Sequence, residues 1–138
     1  MIITDIPFNK LIGLSAAEND IYLLQLKDDA KYTNHLGTVH AAAQFALAEA
    51  AGGEFLVREF SDLINSIVPV VRGVEAKFKK PAVGQLFAKA QFVETDASII
   101  RETLLSKQRL SLKLRVELFD SHNQVVFTAV FDWFVVSR

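Results

Sequence analysis

Cysteine is absent from the chain, which excludes disulfides, thiolate nucleophiles and cysteine-bound zinc. Histidine is sparse, with three scattered residues at 35, 40 and 122, so no metal site is expected. Neither sign of charge dominates: 15 Lys and Arg stand against 16 Asp and Glu, a formal net charge of −1. That balance leaves no electrostatic footprint for nucleic acid and no basic amphipathic stretch for a membrane surface. No apolar run approaches the length of about 20 residues that a membrane-spanning helix needs. The opening segment MIITDIPFNK also lacks a basic region followed by an apolar core. A soluble, cytoplasmic protein is expected, with neither nucleic acid nor membrane as partner and no cofactor.

What is present is an apolar half: 51% of the 138 residues are hydrophobic, enough to fill the core of one domain spanning 1–138 without staples. The chain is organised around Asn34 to Phe55, NHLGTVHAAAQFALAEAAGGEF, the one long stretch that is apolar on nearly every side of a helical wheel. A helix of that kind is buried all round. Its side chains are mostly methyl groups, so neighbouring backbone can approach closely. The polar exceptions are His40, Gln44 and Glu49, and a carboxylate in a buried helix costs several kcal/mol unless paired, hydrogen-bonded or protonated. Thr38 is the expected cap, and the helix is expected to run past Gly52-Gly53 to Leu63, with a break or close packing at the glycines.

Around this helix the periodicity is that of strands. Residues Ile2 to Leu14 read as a short helical or irregular cover, Ile21 to Lys27 as a strand, and Asp28 to Gly37 as the loop leading to the helix. After the helix, Val68 to Lys80 and Gly84 to Glu94 alternate as two strands turned at Pro81-Ala82-Val83-Gly84. Leu110 to Leu118 alternates most cleanly, and Val125 to Val136 is apolar on both faces, as a central strand is. Between Thr95 and Gln108 the residues repeat at helical spacing behind Asp96, which predicts a short helix. Its Ile99, Ile100, Leu104 and Leu105 are expected to cover apolar surface, that of a tunnel or of a subunit contact. Antiparallel strands beside one helix indicate an α+β domain whose sheet curls around the helix.

This order, with Asn34-x-x-Gly37-Thr38-Val39-His40 entering an Ala-rich helix that carries Glu49 and with Pro81-Ala82-Val83-Gly84 at the second hairpin, resembles the hotdog-fold acyl-CoA thioesterases of the PaaI type. It is also similar to their relatives grouped as DUF4442. Asn34 lies six residues before His40 and Glu49 nine after it, the spacing of the family's Asn, His and acidic residue. Two positions depart from the pattern: Ala41-Ala42 stand where the family usually has Gly-Gly, and Glu49 where it often has Asp. The resemblance implies a curled antiparallel sheet of about five strands wrapped around one long central helix, and an acyl-CoA or acyl-carrier substrate.

The matched residues suit thioester hydrolysis, which needs an activated nucleophile and stabilisation of the oxyanion. Glu49 is the candidate base or nucleophile, the Ala41 backbone N–H the candidate oxyanion donor, and Asn34 and His40 the candidate orienting groups. Gln44, Arg72, Lys79 and Lys80 are candidate substrate contacts. Nine helical residues separate Glu49 from His40 by roughly 13 Å and half a turn. One chain therefore does not easily bring both to one carbonyl, and a homodimer with antiparallel helices, or a dimer of such dimers, is expected. The structural alternatives are Glu49 paired with Arg72 or held by local donors, His40 as a helix-start residue, Asn34 as a turn former, and Lys79 and Lys80 as solvated strand lysines. A non-catalytic acyl-binding or structural protein is the alternative function, with Ala41-Ala42 marking a site that binds without turnover. A hotdog dehydratase would also use His with a carboxylate, but the motifs around its His are missing.

Overall fold

The computed structural model describes residues 1–138. In chain order the elements are α1 (Pro7–Ile12), β1 (Ser15–Ala16), β2 (Leu24–Leu26), α2 (Ala41–Glu59), β3 (Ile67–Phe78), β4 (Leu86–Phe92), α3 (Ala97–Lys107), β5 (Arg109–Phe119) and β6 (Val125–Ser137). The six strands form one antiparallel sheet in the order β1-β2-β4-β5-β6-β3. The expected count of about five was short by β1, whose two residues carry no alternation to read.

Period-two patterning decides which face of each strand meets α2. On β5, Leu112, Leu114, Val116 and Leu118 are buried while Ser111, Lys113 and Arg115 face out. Phe127, Ala129, Phe131, Trp133 and Val135 do the same on β6, whose outward residues Val130, Phe134 and Val136 are half-buried. These side chains and α2 form one core cluster of 30 buried residues. The strand expected over Ile21 to Lys27 is shorter, because Asn19 turns residues 19–22, accepting from the Ile21 N–H at 2.9 Å.

The segment Pro81 to Gly84 is not a hairpin. β3 lies at one edge of the sheet against β6, whereas β4 lies between β2 and β5. Alternation fixes a strand's faces but not its partner, and turn residues look alike in a hairpin and in a crossing connection. Here the connection anchors the start of α2: the Val39 N–H donates to the Ala82 carbonyl at 2.8 Å, and Ala82 is buried.

Two expectations about α2 also change. Its cap is His40, whose Nδ1 accepts from the Ala42 N–H at 2.9 Å, while Thr38 is bonded to Asn34 instead. The helix ends at Glu59, not Leu63, and Phe60 to Ser66 turn the chain into β3. The glycines mark close packing, with no break. A Cβ on Gly52 would lie 3.1 Å from the Trp133 ring, and one on Gly53 would lie 3.2 Å from Cδ1 of Ile3.

α3 forms as predicted, with Asp96 Oδ1 accepting from the Ile99 N–H at 2.9 Å. Ile100 and Leu104 are buried, but Ile99 and Leu105 are 54% and 70% exposed. Arg101 forks onto Asp62 at 2.7 and 3.1 Å and lies 5.7 Å from the Phe60 ring, so α3 is joined to the segment just beyond the end of α2.

Gly52→Ala tests the close packing. Alanine gains about 1 kcal/mol of helix propensity, but overpacking a rigid indole costs about 1–3 kcal/mol. A lower urea midpoint is the expected outcome; a higher one shows that Trp133 has room to move.

Candidate functional site

Glu49 is the first residue to place. It sits midway along α2, half-buried, on the wall of a cavity of about 230 Å³ that it shares with Ala50, Gly53 and Val57 of the same helix, Ile3 and Ile6 of the N-terminal segment, and Trp133 of β6. It makes neither an ion pair nor a hydrogen bond. Burial away from water therefore acts unopposed and raises its pKa above the ordinary carboxylate value of 4.5. The alternative that pairs Glu49 with Arg72 is excluded. Arg72 stands exposed at the bulge of β3 with its guanidinium 4.6 Å from the Phe134 ring.

The helix start is a second place. Asn34, Ala41, Gln44, Lys79 and Lys80 line one open pocket of about 430 Å³, with Thr38 and Phe78 between them. The first N–H groups of a helix have no intrahelical acceptor. Here the Ala42 N–H is taken by His40 Nδ1, and those of Ala43 and Gln44 reach the His40 carbonyl at 3.0 and 3.1 Å. The Ala41 N–H alone has no partner, and Ala41 is exposed. A backbone donor at the positive end of a 19-residue helix is what a developing oxyanion needs.

The side chains around it are less free. Asn34 Oδ1 accepts from the N–H groups of Leu36 and Thr38 at 2.9 and 3.1 Å, and its Nδ2 donates to Thr38 Oγ1 at 2.8 Å, so it builds the turn before the helix. Gln44 is 4% exposed and donates to the Val39 carbonyl at 3.0 Å, while its Oε1 is buried without a partner. Lys80 Nζ reaches Gln124 at 3.1 Å, and the Lys79 side chain is unattached. Arg72 lines neither this pocket nor the Glu49 cavity.

His40 belongs to a third place, an apolar pocket of about 280 Å³ that it shares with Phe8, Tyr32 and Ala42. With Nδ1 accepting from the Ala42 N–H, the neutral ring carries its hydrogen on Nε2. One chain thus does not bring Glu49, His40 and the Ala41 N–H into one pocket. Sequence reasoning missed Ile3, Ile6 and Trp133, which share the Glu49 cavity; the available signal was the helical spacing of Glu49, Gly53 and Val57, a second stripe with a gap in it. No α3 residue lines that cavity; Ile99, Ile100 and Thr103 of α3 line a separate pocket of about 340 Å³.

Residues 11–135 match the family described as "Domain of unknown function (DUF4442)". The chain belongs to the DUF4442 family. Among solved structures it is similar to PA5026 of Pseudomonas aeruginosa, a protein of unknown function named "Probable Thioesterase". Their TM-score is 0.80 at 26% identity, over 99% of this chain and 91% of that one. A Bacillus halodurans protein, BH2602, whose crystal structure contains CoA, shares the fold with a TM-score of 0.70 at 18% identity, over 94% and 75% of the two chains. The Haemophilus influenzae thioesterase HI1161 shares it with a TM-score of 0.73 at 14% identity, over 98% and 86%. Among curated proteins nothing matches. This DUF4442 protein therefore has the hotdog fold of thioesterases, and no helix in it is long and apolar enough to cross a membrane.

The raised pKa of Glu49 has a thermodynamic signature. Between the unfolded value of 4.5 and the higher folded value, the folded state holds more protons, so stability falls as pH rises through that window. Urea unfolding of the wild type across it is expected to show this loss, and Glu49→Gln is expected to lack it and to be the more stable protein at neutral pH. Equal pH dependence in the two proteins would show that Glu49 is solvated like a surface carboxylate.

Proposed function

We propose that this protein hydrolyses acyl thioesters of coenzyme A or of an acyl carrier, in two equivalent sites formed between two antiparallel copies of the chain. The observation that carries the reading is Glu49: a half-buried carboxylate with no ion pair and no side-chain hydrogen bond, on the wall of a mainly apolar cavity that Asn9 and Arg138 also line. A carboxylate kept for structure would have a partner, because an unpaired one costs stability. One kept for proton transfer is left free, with a raised pKa that improves it as a base near neutral pH.

In the proposed dimer, Glu49 of one protomer meets the Ala41 N–H of its partner. Two features support that assembly. Glu49 and the helix start line separate cavities within one chain. The free edge of β3 carries Val70, Val74 and Phe78 at 44%, 43% and 51% exposure, a long apolar edge that a second copy would cover. The structures of similar fold include a thioesterase and a protein crystallised with CoA, and that likeness supports the same chemistry here.

The reaction then proceeds from these groups. Glu49 takes a proton from water, whose oxygen bonds to the thioester carbon, and the charge on the carbonyl oxygen falls on the Ala41 N–H. The C–S bond breaks, and the thiolate receives the proton that Glu49 holds. Direct attack by the Glu49 carboxylate, with water opening the resulting anhydride, uses the same two groups. Lys79 and Lys80 stand at the mouth of the helix-start pocket, where the phosphates of coenzyme A would lie.

Two variants test the reading. Glu49→Gln is expected to lower turnover about a hundredfold or more. Ala41→Pro removes the donor at the first helical position, where proline is tolerated. The preceding His40 at φ −59°, ψ 140° already has the conformation that precedes proline. Turnover is expected to fall about 10²- to 10³-fold with the fold kept. Co-refolding the two inactive variants is expected to return about a quarter of wild-type activity, since half the dimers would carry one intact composite site. No recovery on mixing, or a stable monomer that is active, would end the composite-site reading. A wild type that binds acyl-CoA without releasing thiol would make the protein an acyl-binding one.

A further inference from the structure

Resting on the thioesterase reading, we infer that the cavity beside Glu49 is the acyl-chain site of the protomer that supplies the carboxylate. We further infer that Gly53 and Ile3 restrict it to short and medium straight-chain acyl groups. The attacked carbonyl carbon must lie against Glu49, and the acyl chain leaves from that carbon. The space next to Glu49 is this cavity of about 230 Å³, whose walls are mainly apolar, with Asn9 and Arg138 the other polar side chains that line it. Glu49, Gly53 and Val57 occur at i, i+4 and i+8, so they form one stripe along α2, with the carboxylate at one end and Val57 about 12 Å away. Ile3 and Ile6 face that stripe from the N-terminal segment, and Trp133 belongs to the sheet side of the cavity.

Size sets the substrate class. A cavity of about 230 Å³ is below the range of about 300–1,000 Å³ that holds drug-sized ligands, and so suits butyryl to octanoyl chains better than palmitoyl. Gly53 has no positive φ and sits in regular helix, where glycine is a poor residue, so backbone freedom does not account for it. What glycine supplies is space: a Cβ there would come within 3.2 Å of the Ile3 Cδ1. The gap between Gly53 and Ile3 is therefore less than one methyl group wide. In the proposed dimer the substrate is divided between protomers. The acyl chain lies with the Glu49 of one, and the leaving thiol lies at the helix start of the other, beside Lys79 and Lys80.

The experiment is a chain-length series. Straight-chain acyl-CoAs from acetyl to palmitoyl are supplied to the wild type, Gly53→Ala and Ile3→Ala, with thiol release giving kcat/KM. In parallel, equilibrium binding of the same series is measured on Glu49→Gln with and without Gly53→Ala. The wild type is expected to peak between butyryl and octanoyl. Gly53→Ala, which favours the helix and so folds, is expected to move the optimum shorter and to lose about tenfold on octanoyl relative to butyryl, the scale of one misfitted methylene. Ile3→Ala is expected to move it longer. A palmitoyl optimum, or profiles that Gly53→Ala moves in neither turnover nor binding, would overturn the inference while leaving the thioesterase reading intact. No turnover of any acyl-CoA or of octanoyl-carrier protein, with octanoyl-CoA binding still weakened by Gly53→Ala, would instead end the thioesterase reading and uphold the acyl cavity.

Discussion

Everything in this fold depends on how closely one helix can lie inside a curled sheet. α2 crosses the concave face over side chains as large as Phe127, Phe131 and Trp133, all buried. With much of the helix–sheet contact filled from the sheet side, α2 buries mostly methyl groups and hydrogen, with Leu47 and Leu56 its large buried side chains. Ala43, Ala46, Ala48, Ala50, Ala51 and Gly52 are the small residues, and each is buried. Close-packed interiors tolerate neither voids nor crowding, so bulky strands require a slender helix.

The same constraint isolates the chemistry. A helix enclosed by apolar side chains offers its polar groups few partners, and a group without a partner is reactive or costly. Asn34 and His40 are drawn into the turn and the cap, where they hold the start of α2 in place. The Ala41 N–H and the Glu49 carboxylate are left without partners, as are the buried Gln44 Oε1 and Trp133 Nε1. The proposed hydrolysis uses the first two, one to hold the developing negative charge and one to deliver the nucleophile.

Sheet order then decides what a single chain lacks. With β3 sent to the edge, its outer row of N–H and C=O groups has no neighbour, and the apolar side chains Val70, Val74 and Phe78 stand beside it. Such an edge is an invitation to pair. The proposed dimer answers this demand and the separation of Glu49 from Ala41 in one arrangement.

Much of this was legible in the residues. Ala-rich composition over His40 to Ala51 identified the central helix, strict alternation identified β5 and its inward face, and Asp96 marked the start of α3. These are signals between residues close in the chain, where periodicity and capping are local physics. The spacing of Asn34, His40 and Glu49 carried only a resemblance to a family pattern, and within one chain the three line separate pockets. What tertiary structure alone decided is who meets whom. It made Pro81–Gly84 a crossing connection in place of a hairpin, set Arg72 against Phe134, and set Ile3 against Gly53. Each of these rests on contacts between segments far apart in sequence, and no local pattern encodes a partner. Alternation shows which face is buried; only the closed sheet shows what is buried against it.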